Sequence, residues 1–276
     1  MVGNKLGVGQ VEQYRRDGYV KGACVLDSAE VEELRSEMAR VIRDQGRADV
    51  PQPVRLKNLS RDPGSPVWQI VNIWQASRAF ARLLHHAAIV EAAAELLQAR
   101  EVRLWHDQVQ YKPAGTGGVN MWHQDSPYWR PLEPKDQQVT AWIALDDVDA
   151  DNGCMSMVPG SHLWGNHIEY LNKLKSFDAM PREYFGHAVE VRLCPVAKGQ
   201  VHFHHSLTWH GSHANTSGRP RRAIALHFMS EKTVHNANEH HVMTPFIKVA
   251  DGQLLTGEAF PVVWTTVQVA ATTRPD

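Results

Sequence analysis

The second half of the chain constrains the fold most. From residue 101 onward, short segments rich in Val, Ile, Trp, Tyr and Phe recur at Val102–Tyr111, Val139–Leu145, Met155–Val158, His187–Cys194, Gln200–Phe203, Arg222–Met229 and Phe260–Val269. Turn-forming stretches separate them: residues 114–118, Asp151-Asn152-Gly153, Pro159-Gly160 and residues 215–218. Short β-rich runs with little helix between them imply an antiparallel sandwich or barrel, and Asn152-Gly153 between two such runs signals a hairpin. The first hundred residues read differently. A short helix is expected over Val11–Asp17, followed by an apolar segment from Gly18 to Leu26. A longer helix is expected to start at Ser28 as its N-cap, with apolar spacing through Val31, Leu34, Met38 and Val41. Asp49–Gly64 is polar and Pro-rich and is expected to be loop, and Ala76–His85 and Ala88–Leu97 to be helices. The expected whole is one domain over 1–276, mainly β with flanking helices: helical support in 1–100 and a β-sandwich core in 101–276.

Composition removes several functional classes. Twenty-nine Lys and Arg nearly cancel 30 Asp and Glu, so the chain lacks the basic face of a nucleic-acid or anionic-membrane binder. There is no signal-peptide pattern and no apolar run long enough to span a bilayer, and three scattered cysteines suggest neither a disulfide framework nor a Cys-rich zinc site. The expectation is a reduced, cytoplasmic protein with a small-molecule substrate, no nucleic-acid or membrane partner, and a monomeric or homodimeric state.

With sixteen histidines present, only spacing is informative. In His123-Gln124-Asp125, strand geometry would turn an imidazole and a carboxylate to one face and Gln124 to the other. That pair is two-thirds of a facial triad, the ligand set that suits non-haem Fe(II) and leaves coordination positions open. A third ligand has to come from another strand, and His202, His204, His205, His210, His213 and His227 are the candidates; His204 and His205, being adjacent, cannot both point inward. His210 opens His210-Gly211-Ser212 after an apolar run, with Arg219, Arg221 and Arg222 following. A buried guanidinium there would hold the far carboxylate of a chelating dicarboxylate, a need that a metal-binding sandwich without redox turnover does not have.

Taken in order, Trp122-His-Gln-Asp125, Asn152-Gly-Cys-Met155, Val158-Pro-Gly-Ser-His162, Lys198-Gly199 and His210-Gly-Ser…Asn215…Ser217…Arg221-Arg222 resemble the phytanoyl-CoA dioxygenase (PhyH-like) family of Fe(II)/2-oxoglutarate-dependent oxygenases, over roughly residues 14–229. The resemblance implies a double-stranded β-helix (jelly-roll, cupin-like) core. It implies Fe(II) on His123, Asp125 and His210, 2-oxoglutarate as co-substrate and O2 as oxidant. The 2-oxoglutarate anchor falls on Arg221 with Ser212 as its hydroxyl partner, and Gln108 and Trp142 fall at positions lining the co-substrate. Because Asp125 is kept, hydroxylation is the default outcome, with ring closure and desaturation open. Tyr128, Trp129 and Lys57 are candidates for substrate contact, and the N-terminal helices and the 165–186 segment are expected to shape the pocket mouth. The expected substrate is a small organic or natural-product-like molecule, with an acyl-CoA as the alternative.

Overall fold

The computed structural model describes residues 6–60, 62 and 64–266. The strands that matter for the site are β1 (Tyr19–Cys24), β2 (Arg55–Asn58), β3 (Trp68–Val71), β4 (Glu101–Lys112), β5 (Asn120–His123), β6 (Gln138–Ala144), β7 (Met155–Met157), β8 (Arg192–Cys194), β9 (Gln200–His205), β10 (His210–Ser212), β11 (Arg221–Ser230) and β12 (Val262–Thr265). They form an eight-stranded sheet in the order β1-β9-β6-β11-β4-β3-β2, with β12 also on β4, and a four-stranded sheet in the order β8-β7-β10-β5. Every pairing within these two sheets is antiparallel. The two sheets make the expected jelly-roll core.

The helices α1 (Val8–Asp17), α2 (Ser28–Arg43), α3 (Arg78–Leu83) and α4 (Ala87–Leu97) cover one face of the large sheet. Val11, Leu34, Phe80 and Ile89 from the helices share one apolar cluster with Val109, Ile143 and Ile224 from the sheet. Their strand neighbours Thr140, Trp142 and Ala225 point the other way, into the cavity between the sheets. The expectation that the helices shape the pocket mouth is therefore not met: they back the sheet on the face opposite the cleft.

The N-cap of α2 is Asp27 and not Ser28. The Asp27 carboxylate accepts from the Ala29 and Glu30 amides at 2.8 and 2.9 Å, and the Asp27 amide in turn donates to the Glu30 carboxylate. This is a complete capping box. Asp27→Ala is expected to cost about 1 kcal/mol in a denaturant titration, and Ser28→Ala only a few tenths of that.

Other boundaries also differ from expectation. The 49–64 stretch contains β2, an outermost strand whose pattern (Arg55, Leu56, Lys57, Asn58) offers a single apolar side chain and so no legible run. Asn152-Gly153 does not close a hairpin. It carries the chain from β6 in the large sheet to β7 in the small one, with Gly153 at φ 82° and the Asn152 side chain tying the turn to the Asp149 amide and the Asp147 carbonyl. The 187–194 run splits, because a turn at Phe185-Gly186 folds His187-Ala188 back onto Glu183-Tyr184 before β8 starts. The last expected strand, 260–269, is seen as β12, and its end from residue 267 lies outside the described residues.

Gly18 ends α1 at φ 80°, a conformation that favours glycine. A Cβ there would come within 2.5 Å of both His162 Nδ1 and Thr208 Oγ1, so the turn is closed by packing as well as by backbone geometry. His162 Nε2 meets the Arg15 carbonyl of α1 at 3.2 Å, tying this loop to the helix. No described helix is long and apolar enough to cross a membrane, and Cys24, Cys154 and Cys194 are free.

Candidate active site

The antiparallel pairing of β10 with β5 places His210 directly opposite His123, and their rings are 4.1 Å apart. Asp125 does not lie on the strand. It starts the short 3-10 turn Ser126–Tyr128 at φ −72°, ψ −54°, just beyond the end of β5. The turn still brings the carboxylate beside the two imidazoles, with Oδ1 at 3.6 Å from His123 Nε2 and 3.5 Å from His210 Nε2. Gln124 points away as expected. Fully buried, it donates to the carbonyls of Gly165 and Leu207 and accepts from the His167 amide, fixing the turn to the neighbouring loops.

Every ligand atom is presented by a partner on its far side. His123 Nδ1 lies 2.8 Å from the Met121 carbonyl and His210 Nδ1 2.9 Å from the Thr208 carbonyl. A carbonyl only accepts, so both Nδ1 atoms carry the proton and both Nε2 lone pairs face the centre. Asp125 Oδ2 accepts from Thr140 Oγ1 at 2.8 Å and from His204 Nε2 at 3.1 Å, leaving Oδ1 free. The three ligand atoms lie within 4.8 Å of one another, and this is the one such group among the described residues. Burial pulls both His123 and His210 down to about pKa 4, so they are neutral ligands at ordinary pH. For Asp125, burial acts upward but is outweighed by His210 and His204, and the carboxyl stays well below its ordinary value. Two neutral imidazoles and one carboxylate, pre-oriented, fit a divalent first-row metal with open coordination positions.

The remaining histidine candidates have other places. His204 positions Asp125, while His205, on the opposite face of β9, packs near Tyr14 and His162. His202 stacks on Tyr19, and His213 lies against Phe177 and pairs with Asp178 at 3.4 Å. His227 Nδ1 meets Thr140 Oγ1 at 2.9 Å, behind the bond from Thr140 to Asp125.

Strand alternation separates the three arginines. Arg219 pairs with Asp149 at the surface, and Arg222 grips Asp146 with two bonds of 2.9 and 2.7 Å. Arg221 turns inward and is fully buried. Its Nη2 donates to Ser212 Oγ at 3.0 Å, its guanidinium carbon lies 5.5 Å from the Trp142 ring centre, and its Nε and Nη1 have no acceptor among the described residues. Burial lowers it to about pKa 10, which leaves it a cation. A buried guanidinium with two unmatched N–H donors is built for an anion. Ser212 and Trp142 line a cleft together with the triad.

The other candidates differ in their surroundings. The cleft is lined by Gln110, which accepts from Trp142 Nε1 at 3.4 Å. Gln108, on the same face of β4, accepts from Gln69 at 2.7 Å instead. Tyr128 is about half exposed, its ring 6.3 Å from His123 and its hydroxyl on Asn172. Trp129 is buried in a core cluster with Trp105, Leu132 and Met243. Lys57 is exposed on β2, opposite Gln69 in register. Part of the 165–186 segment lies against the ligand-bearing strand, with Phe177 stacked on Trp122 at 4.7 Å and its carbonyl accepting from Trp122 Nε1. Thr140 carries no signal in the sequence; Gln110 shares the strand face of Gln108 by the two-residue period, and His227, a candidate ligand by residue type, sits behind Thr140 instead.

The family model for phytanoyl-CoA dioxygenase (PhyH) matches residues 14–223. Among similar solved structures is the non-heme alpha-ketoglutarate-dependent carbocyclase SnoK from nogalamycin biosynthesis, 27% identical, covering 94% of this chain and 97% of that one at a TM-score of 0.76. The alpha-ketoglutarate-dependent epimerase SnoN from the same biosynthesis is 25% identical, with coverage of 93% and 97% and a TM-score of 0.75. Ectoine dioxygenase of Bordetella parapertussis is 26% identical over 246 residues, 84% of this chain and 78% of that protein. A match over most of the chain, together with a His-Asp-His group set in a jelly roll, makes this chain a member of the phytanoyl-CoA dioxygenase family, within the Fe(II)/2-oxoglutarate-dependent oxygenases.

Proposed function

We propose that this enzyme oxidises a small organic or natural-product-like molecule at a C–H bond, using 2-oxoglutarate as co-substrate, with hydroxylation as the default outcome. The observation that carries the co-substrate reading is the buried Arg221, whose Nε and Nη1 donors have no hydrogen-bond partner among the described residues. A ferrous ion held by His123, Asp125 and His210, together with 2-oxoglutarate and O2, supplies the oxidising power, and succinate and CO2 are released. The chain's own residues supply the geometry. Met121 and Thr208 hold the imidazoles through their carbonyls, and Thr140 and His204 hold the carboxylate. Arg221 and Ser212 take the far carboxylate of the co-substrate, and Trp142 walls it from water. Tyr128, half exposed and with its ring 6.3 Å from that of His123, is the candidate for substrate contact. A small substrate is supported by the likeness to two enzymes named for nogalamycin biosynthesis.

Under anaerobic conditions, Fe(II) plus 2-oxoglutarate should give a weak visible charge-transfer band. Its absence would count against chelation of the co-substrate at the metal. Arg221→Ala should weaken 2-oxoglutarate binding by about 30- to 1,000-fold, the scale for truncating one partner of a buried charge pair. Metal binding should be spared, and equal 2-oxoglutarate affinity in this variant would remove the anchor assignment. A thermal-shift screen of metabolites, run with a redox-inert metal and 2-oxoglutarate, tests the substrate class; stabilisation by acyl-CoA thioesters alone would overturn the small-molecule reading.

A further inference from the structure

Lys112 ends β4 as a fully buried lysine. It is on the face of β4 that carries Gln110, two residues earlier. Its Nζ donates to Ser212 Oγ at 2.7 Å, to the Ser212 carbonyl at 3.3 Å and to the His213 carbonyl. Three acceptors around one nitrogen suit an ammonium, which has three protons to give and no lone pair. The backbone at Lys112 is also held: Asn215 donates to the Lys112 carbonyl at 3.3 Å, and Gly117 lies so close to the Lys112 Cβ that no side chain would fit there.

Two features of this cluster call for a ligand. The first is charge. Lys112 and Arg221 are both buried on Ser212, and neither has a carboxylate in ion-pair range among the described residues. Burial, and then Arg221, draws Lys112 well below the ordinary lysine value. An unbalanced buried pair of cations is costly until an anion completes it. The second is the Ser212 hydroxyl. Its oxygen accepts from Lys112 Nζ and from Arg221 Nη2, so both of its lone pairs are taken. Its proton has no acceptor among the hydrogen bonds of the described residues, and Ser212 lines the cleft.

We propose that Lys112 is a positioning residue for the co-substrate: by occupying a lone pair of Ser212 it turns the Ser212 O–H into the cleft, where that proton and the Arg221 Nε and Nη1 protons together receive the far carboxylate of a 2-oxo dicarboxylate. The inference rests on the 2-oxoglutarate reading above and adds to it a residue outside the ligand's own contacts. In this arrangement Lys112 acts on the dicarboxylate's distal end and leaves the chelating end alone.

The test is calorimetric titration of the Mn(II)-loaded protein with 2-oxoglutarate and with 2-oxobutanoate, which has the same chelating head and no distal carboxylate. Lys112→Met and Ser212→Ala should each weaken 2-oxoglutarate by about 10- to 100-fold, the scale of a lost charge-assisted hydrogen bond. Each should leave 2-oxobutanoate within about twofold, since nothing at the chelating end changes. The double variant should bind 2-oxoglutarate no worse than Lys112→Met alone, because both changes remove one device. Equal weakening of both ligands, an unchanged 2-oxoglutarate affinity, or additive losses in the double variant would each overturn the proposal. Should Lys112→Met fail to fold, Ser212→Ala decides alone: an unchanged ratio between the two ligands sinks it. Failure of the parent reading looks different, since the unmodified protein would then show no preference for the dicarboxylate at all.

Discussion

Asp125→Ala is expected to reduce oxidation of any substrate by about a thousandfold or more, the scale of several kcal/mol of metal-centred stabilisation. The geometry explains why this carboxylate is irreplaceable. Its Oδ1 stands 3.6 and 3.5 Å from the two imidazole nitrogens, and it contributes the one negative charge of the triad. Without it, two neutral imidazoles remain, and the His204 and Thr140 donors lose their acceptor. Metal affinity should fall together with turnover, which equilibrium dialysis against Fe(II) or Mn(II) would register. Thr140→Val makes the smaller change. It removes one donor from Oδ2 while keeping all three ligands, and a loss of about 10- to 100-fold in metal affinity or activity is expected. Wild-type metal affinity in the Asp125 variant would exclude this carboxylate from the centre.

The second large effect is on stability in acid. His106 and His205 are lowered to about pKa 3 and His241 to about 4, in each case mainly by burial and next by a neighbouring histidine. His202 and His227 are also held well below the ordinary value. The sign follows from comparing the two states. Unfolded, each imidazole returns to about 6.5 and takes up a proton that the folded protein refuses. The stabilisation is therefore complete above about pH 6.5 and is lost as the pH falls toward the folded values. By pH 5, His106, His205 and His241 should each have withdrawn about 2 kcal/mol, or about 6 kcal/mol together. A domain of this kind holds only about 5–15 kcal/mol. Circular-dichroism melts at pH 7.5, 6 and 5 should show a steeply falling midpoint, and a flat profile over that range would show that these side chains are hydrated.

The metal ligands and Arg221 could be read from the chain because their signal is spacing. His123 and Asp125 are two apart, and His210-Gly-Ser is followed at a fixed interval by Arg221. The residues that support them carry no such mark. Thr140 and Lys112, and the place of His227 behind Thr140, become visible only through register, which sets Thr140 beside both His204 and His227, while β4 is additionally displaced by an irregularity near His227. The helix α2 was legible from its apolar period, yet its cap was misplaced because Asp27 and Ser28 are both good capping residues and only the backbone decides between them. Strand β2 was missed for a different reason. An outermost strand buries little, so its sequence has no need of the alternation that identifies an inner one.

The order of the large sheet has one more consequence. Its two borders, β1 and β2, both come from the first sixty residues, and the strands that build the catalytic wall lie between them. β1 is the sole sheet neighbour of β9 on its outer side, and β9 carries His204, which steadies Asp125. The amino-terminal segment is thus a buttress for a ligand about a hundred positions away. A substitution that loosens β1 would therefore reach Asp125 by way of β9 and His204.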